Sequence, residues 1–228
     1  MITIFIPVYY EEKILKENIL FLYSFLEKNL KKSQKYQFVI LDSNSLDNTP
    51  KIAEKLQQKY KNIMYLNNPK RGKGIAIKEA SLGIKSDYYS FIDIDIPIKL
   101  EEYLYIIKQV IDNKTDICIG SKYVKGSSYN RPFIRIIGSK IFNLMAKIFL
   151  NLPVKDIYMG AKVWNQKVNK CVWDLVEDER WFFDIEFLYY ANRKGFKIKE
   201  MPVTYKETRM DSKLNFFKVG MLFLKKLT

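Results

Sequence analysis

Apolar residues recur along the first half of the chain in two rhythms that take turns. Residues 2–8 form a short apolar run closed by Pro7 and Val8, the pattern of a buried strand. In residues 11–30 the apolar positions Ile14, Leu15, Ile19, Leu22, Phe25 and Leu26 fall on one side of a helix. The alternation continues with a strand over 38–41 that ends in Asp42, and a helix over 49–60 with Pro50 placed for a first turn. Then come a strand over 63–66, a glycine-led helix over 72–85, a strand over 88–92, a helix over 100–111 and a strand over 116–119. Such alternation predicts an α/β fold, a mostly parallel sheet flanked by helices. In open sheets of this kind ligands gather beyond the carboxyl ends of the strands. Tyr9 to Glu11, the 42–47 turn, Asp93, Asp95 and Lys122 all fall there.

After Gly120 the pattern changes. From Ile117 to Lys155 there are basic residues and no acid. Arg131, Arg135, Ser139, Asn143 and Lys147 recur every fourth residue and make a polar stripe on a helix near 132–150. Opposite it stand Ile134, Ile137, Ile141, Met145, Ile148 and Phe149. Residues 212–228 repeat the theme with Lys213, Lys218, Lys225 and Lys226 and a large apolar face. Two readings fit these helices: they lie in a membrane interface, or their apolar faces pack on the sheet. The expected organisation is a catalytic domain over 1–211 followed by a basic amphipathic helix over 212–228.

Composition narrows the chemistry. A formal net charge of +14 points to an anionic partner or to solvated lysines on exposed helix faces. With no histidine, imidazole catalysis and imidazole metal ligands are excluded, so a metal site must use carboxylates, which suits Mg²⁺ or Mn²⁺. Cys118 and Cys171 lie far apart in sequence, and both are expected to be buried free thiols. The N-terminal run is too short for a signal peptide and reads as a strand, and no apolar stretch reaches the ~18 residues of a spanning helix. A peripheral protein on the cytoplasmic side of a membrane is the expected setting.

Asp93-Ile94-Asp95 carries the most chemistry. Two carboxylates two residues apart at a strand end can hold a hard divalent cation that neutralises a diphosphate. In the 42–47 turn, Asp42 and Ser43 are placed for a ribose or base edge, and Asp47 for capping the next helix. Lys70-Arg71-Gly72-Lys73-Gly74 opens a helix whose N-terminus suits phosphate. Asp184 and Glu186 begin another helix, where acids serve the helix dipole or an acceptor.

Taken in order, the run from Ile6 to Glu11, the 42–47 turn, Arg71-Gly72-Lys73-Gly74 and Asp93-x-Asp95 resemble family 2 glycosyltransferases with the Rossmann-like GT-A fold. The run from Gly120 to Gly126 resembles the dolichol-phosphate mannose synthase branch of that family. So do Arg131, Arg135, Ser139 and Asn143, the spacing Asp156-x-x-x-Gly160-x-Lys162, and the run from Trp181 to Glu186. Glu200-Met201-Pro202-Val203 and Ser212-Lys213 complete a resemblance that spans nearly the whole chain.

The resemblance implies roles. Pro7, Tyr9, Glu11, Leu41, Asp42 and Ser43 would hold the nucleoside. Lys73, Asp93, Ile94 and Asp95 would lie along the diphosphate, with Asp93 and Asp95 on Mg²⁺ or Mn²⁺. Lys122, Arg131, Arg135 and Ser139 would meet an acceptor phosphate, and Lys122, Arg209 and Lys213 the donor. Asp156, Asp184 and Glu186 are candidate acids on the acceptor side.

The implied reaction moves a hexose, mannose first and glucose as the alternative, from GDP-mannose or UDP-glucose to a polyprenyl (dolichyl) phosphate. An anionic membrane surface and a membrane-anchoring subunit are the implied partners. A glycan acceptor is the nearer alternative. A nucleic-acid-binding module is the alternative from another class, and no RNA-binding motif supports it. The sequence departs from the family pattern at Tyr10, where Asn is usual, and at Ser43-Asn44, where Asp-Gly is usual. It departs again at Pro97, usually Gln, and at Lys122, usually Arg.

Overall fold

The computed structural model describes residues 1–31, 33–130 and 133–207. Strand β1 (Ile2–Val8) sends Ile2, Ile4, Ile6 and Val8 to one face and Phe5 to the other, the period-two alternation of a strand buried on both sides. Strand β2 (Tyr36–Asp42) does the same, with Phe38 and Ile40 against Val39 and Leu41. Helices cover both faces, so neither set of apolar residues meets water.

One face is covered by α1 (Leu15–Asn29), α2 (Thr49–Lys59) and α4 (Leu100–Ile111). Leu15, Ile19, Leu22 and Leu26 make the buried stripe of α1, and Pro50 lies in the first turn of α2 as the sequence predicts. The other face is covered by α3 (Lys73–Gly83), α6 (Gln166–Val172) and α7 (Phe183–Arg193), with Ala146 of α5 (Phe133–Leu150) joining the same core.

The remaining strands of the main sheet are β3 (Ile63–Asn67), β4 (Tyr88–Ile92), β5 (Ile117–Ser121), β7 (Ala161–Asn165) and β8 (Ile198–Pro202), in the order β3-β2-β1-β4-β7-β5-β8. A small parallel pair, β6 (Ser128–Asn130) and β9 (Thr204–Lys206), flanks it. All strands of the main sheet run parallel except β7, which is antiparallel to both β4 and β5. The mostly parallel sheet matches expectation; the reversed strand in its middle does not follow from the apolar pattern. Its reversal has a consequence for the site. The start of β7, at Ala161 opposite Ile92, lies at the same edge as the carboxyl ends of β4 and β5. Residues 156–162 are thereby delivered between Asp93 and Lys122.

Candidate active site

Three turns at that edge hold non-glycine residues in the left-handed region: Tyr10 at φ 56°, Asn44 at φ 62° and Ile96 at φ 45°. Backbone strain of this kind concentrates where a fold serves a site. Asn tolerates the conformation through its short polar side chain, which is the physical reason Asn suits the position Tyr10 occupies.

The first turn places Tyr9 beneath the Arg71 guanidinium, 4.1 Å from the ring centroid, with Tyr10 edge-on at 4.4 Å. Pro7 pairs with Leu41 across β1 and β2, and the Glu11 N–H donates to Thr49 Oγ1 at 2.8 Å. Asp42 is fully buried. Its Oδ1 accepts from Ser45 N and Oγ at 3.1 and 2.6 Å, and its Oδ2 accepts from the Tyr65 hydroxyl at 3.0 Å. Ser43 and Leu41 are buried beside it. Asp47 accepts from Thr49 N at 3.0 Å, while the N-cap position of α2 itself falls to Asn48.

At the end of β4 the Asp93 carboxylate meets the Lys73 ammonium at 2.6 Å. Burial works against the charge on Lys73, but Asp93, Asp184 and Asp95 together raise its pKa above the ordinary lysine value. The Asp93 N–H donates to Gly160 O at 2.9 Å, and a β-carbon at Gly160 would fall on the Asp93 carboxylate. Asn18 holds the turn by donating to Ile94 O at 2.8 Å.

The glycines beside Lys73 have a different contact from the phosphate their position suggests. β-Carbons at Gly72 and Gly74 would strike the backbone of residues 178 and 179, and Ile75 N already donates to Glu179 O at 2.9 Å. The segment between α6 and α7 therefore packs on the N-terminus of α3. Glu186 fastens that segment, its Oε2 accepting from Glu177 N and Asp178 N at 2.7 Å each.

Asp184 turns inward instead. It is buried and lies 2.6 Å from the ammonium of Lys162, which is fully buried. Burial pulls both groups towards their neutral forms, and each partner's charge opposes that shift. Lys162 also donates to Met159 O at 2.8 Å and lies 5.0 Å from the Phe91 ring centroid, while Lys73 lies 4.7 Å from the same centroid.

Lys122, at the end of β5, is buried and pairs with Asp156, at 2.8 Å from its Oδ2; the Lys122 N–H donates to the same carboxylate at 2.8 Å. The Lys122 ammonium lies 4.7 Å from the Tyr205 centroid and 5.6 Å from that of Tyr123. The Tyr123 hydroxyl donates to Ser139 Oγ at 2.9 Å, so Lys122 and Ser139, distant in sequence, meet on one aromatic ring. Arg135 lies in the first turn of α5 by its backbone. Arg131, Arg209, Lys213 and the 212–228 helix lie outside the described residues.

Helix α5 reverses the usual arrangement of a surface helix. Ser139 and Asn143 of its polar stripe are buried, whereas Ile137, Ile141, Leu144, Ile148 and Phe149 are exposed. Asn143 ties the helix down, its Nδ2 donating to Ser139 O at 2.9 Å and its Oδ1 accepting from Ile157 N at 3.0 Å. Of the apolar face the sequence predicts, Ile137, Ile141, Ile148 and Phe149 do not lie against the sheet, whereas Met145 packs on the core. No helix among the described residues is long and apolar enough to cross a membrane.

Sequence reasoning found Lys162 only as the last residue of the spacing Asp156-x-x-x-Gly160-x-Lys162 and gave it no role, because its partner Asp184 is distant in sequence. It also placed both thiols inside: Cys118 is buried, but Cys171 is exposed near the end of a short helix. Among the described residues no three His, Cys, Asp or Glu side chains surround one point. Asp93 and Asp95 could hold a cation only with further oxygen ligands from elsewhere, as when Mg²⁺ binds through one or two carboxylates and a substrate's phosphates.

The model of Glycosyl transferase family 2 matches residues 3–173. The chain belongs to this family. It is similar to Glycosyltransferase AglD of Haloferax volcanii, at 25% identity over 94% of this chain and 34% of that one. It is similar to Dolichyl-phosphate beta-glucosyltransferase ALG5A of Trichomonas vaginalis, at 27% identity over 90% of this chain and 66% of that one. It is also similar to Polyprenol monophosphomannose synthase of Mycolicibacterium smegmatis, at 25% identity over 75% and 67% of the two chains. The chain thus spans from about a third to about two thirds of the length of these curated relatives. The fold is that of glucosyl-3-phosphoglycerate synthase from Mycobacterium tuberculosis, solved with Mn²⁺, UDP and phosphoglyceric acid. The TM-score is 0.67, at 15% identity over 96% of this chain and 73% of that one.

Proposed function

We propose that this family 2 chain transfers a hexose, with inversion, from a nucleotide-sugar to a polyprenyl (dolichyl) monophosphate at a membrane surface. The observation that carries the reading is the two-sided character of α5. Its inner side brings Ser139 to Tyr123 and Lys122, its outer side is an exposed apolar stripe, and the exposed Lys140 and Lys147 are charged, with the Lys140 ammonium 5.8 Å from the Tyr123 centroid. One helix thus offers a polar inner face for a phosphate and an apolar outer face for the lipid that bears it. The named relatives that act on dolichyl and polyprenol phosphates support the same acceptor class.

The nucleoside would lie over Tyr9, Arg71 and the turn after β2, and the diphosphate along Lys73, Asp93 and Asp95. A divalent cation held by Asp95 and Asp93 would neutralise charge on the leaving diphosphate. Lys122, Ser139, Arg131 and Arg135 would orient the acceptor phosphate, and Arg209 and Lys213 would reach the donor. A phosphate monoester has a second pKa of about 6 and is mostly a dianion at neutral pH. It attacks the anomeric carbon without a strong general base, which agrees with a chain lacking histidine and with Asp184 and Glu186 engaged elsewhere. Positioning and charge stabilisation then carry the rate.

The basic residues would draw the protein to an anionic leaflet, each contributing about 1 kcal/mol. The cytoplasmic leaflet, which carries that charge, is the proposed site of docking.

The test is a transfer assay. The protein is incubated with polyprenyl phosphate in anionic liposomes, Mn²⁺ or Mg²⁺, and radiolabelled GDP-mannose or UDP-glucose in parallel, with Asp95→Ala as control. Metal-dependent label in the organic phase from one donor, lost in the variant, supports the reading and selects the sugar. Donor hydrolysis without labelled lipid sinks the lipid acceptor and keeps the sugar transferase.

A further inference from the structure

Lys162 stands in the middle of the sheet, on the face that carries Phe91 and Trp164 and that Phe183 of α7 covers, with no exposed surface. Lysine is almost never fully buried unless it is paired, and desolvating it is costly. An apolar side chain would fill the same space at lower cost. The fold alone therefore gives no reason for an ammonium there.

Its contacts supply one. Lys162 donates to Met159 O at 2.8 Å and is held by Asp184 at 2.6 Å. The next residue after Met159 is Gly160, which receives the Asp93 N–H at 2.9 Å and lies directly under the Asp93 carboxylate. The 159–160 segment thus touches Asp93 at its backbone and at its side chain, and one buried ammonium fastens that segment. Asp184 comes from α7, so the pair also fixes that helix against the strand that delivers Gly160. The charges alternate from Lys162 to Asp184, then to Lys73 and Asp93, and both lysines lie within 5.0 Å of the Phe91 centroid.

We propose that Lys162 and Asp184 are a positioning pair that fixes the bed on which Asp93 lies, and so holds that carboxylate in place for a cation-bearing diphosphate. The proposal rests on the donor-site reading above. Neither residue touches the reacting groups; both act through Gly160 and Asp93.

The test separates positioning from packing. Replacing a buried ion pair by apolar residues of similar volume is often neutral or stabilising, so the double variant Lys162→Met with Asp184→Leu is made. Binding of UDP and GDP is measured by calorimetry with and without Mn²⁺, and folding by thermal melting. The expected result is a folded variant whose Mn²⁺-dependent gain in nucleoside diphosphate affinity drops at least tenfold, with metal-independent binding unchanged. A folded variant that keeps the full Mn²⁺-dependent gain overturns the proposal. Should the double variant not fold, the near-isosteric Asp184→Asn decides: a weakened Mn²⁺-dependent gain supports positioning, and an unchanged gain overturns it. If the unsubstituted protein binds neither nucleotide with Mn²⁺, the donor-site reading itself fails, an outcome distinct from the others.

Discussion

The Lys73 ammonium rests 2.6 Å from the Asp93 carboxylate, on the spot where a metal ion approaching that oxygen would compete with it. Lys73→Met leaves Asp93 facing water, so the protein is expected to fold. Removing one fixed charge-stabilising donor costs about 100-fold or more in kcat. Steady-state kinetics should show that loss, while Mn²⁺ titration without nucleotide should show tighter metal binding. Unchanged kcat would remove Lys73 from the diphosphate.

Gly160→Ala is a one-carbon test of the same carboxylate. The added β-carbon falls on Asp93, which must move. A displacement of about 1 Å in a reacting constellation costs about 100-fold in rate. Activity should fall by that order while the melting temperature stays close to that of the unsubstituted protein.

Glu200, on β8, accepts from Lys155 N at 2.9 Å and Asp156 N at 3.0 Å, and burial raises its pKa above the ordinary glutamate value. The folded state therefore holds this proton more tightly than the unfolded chain. The associated stability is present in full below the unfolded value and is lost as pH rises through the folded one. Melting temperatures of the unsubstituted protein and Glu200→Gln are compared between about pH 4 and about pH 7. The difference, unsubstituted minus variant, should decrease as pH rises, and a difference that grows would contradict the sign.

The two thiols should behave differently. Burial pushes Cys118 up to about 12, while Cys171 is exposed. A thiol reagent at neutral pH is expected to modify Cys171 alone in the native protein and both cysteines after denaturation. Equal reactivity in the native state would contradict the burial.

The exposed stripe of α5 gives the last test. Ile141→Glu with Ile148→Glu places charges at two exposed positions, and surface substitutions of this kind usually change stability by no more than about 0.5 kcal/mol. Flotation with anionic liposomes should lose the variant and retain the unsubstituted protein. Equal flotation would leave the stripe without its proposed lipid partner.

Much of this was legible in the sequence, because strands β1 to β5 carry mostly apolar runs and leave the polar residues of the site at or just beyond their ends. Asp93 and Asp95 were found that way. The acids of the second half were harder to read. Asp184 and Glu186 are two residues apart at the start of one helix, yet one pairs with a buried lysine and the other fastens backbone N–H groups. Their roles depend on partners eight or more residues distant, which no local pattern encodes. Strand β7 was hidden for a related reason: Lys162 interrupts its apolar run with a charge, which β3, β4 and β5 of the same length do not suffer. Helix α5 had a clear amphipathic pattern, but the pattern alone does not say which side faces inward.

Because β7 stands between β4 and β5, the two halves of the sheet share no direct hydrogen-bonded seam. During synthesis β1 to β4 can pair as soon as they emerge, whereas β5 must wait until residue 165 has been made. Asp93 and Lys122 therefore acquire their fixed separation in one late closing event. Until then β4 presents an unpaired edge, the kind of surface that invites pairing with another chain. Substitutions in β7 should accordingly lower the yield of folded protein more than their effect on the finished fold would suggest.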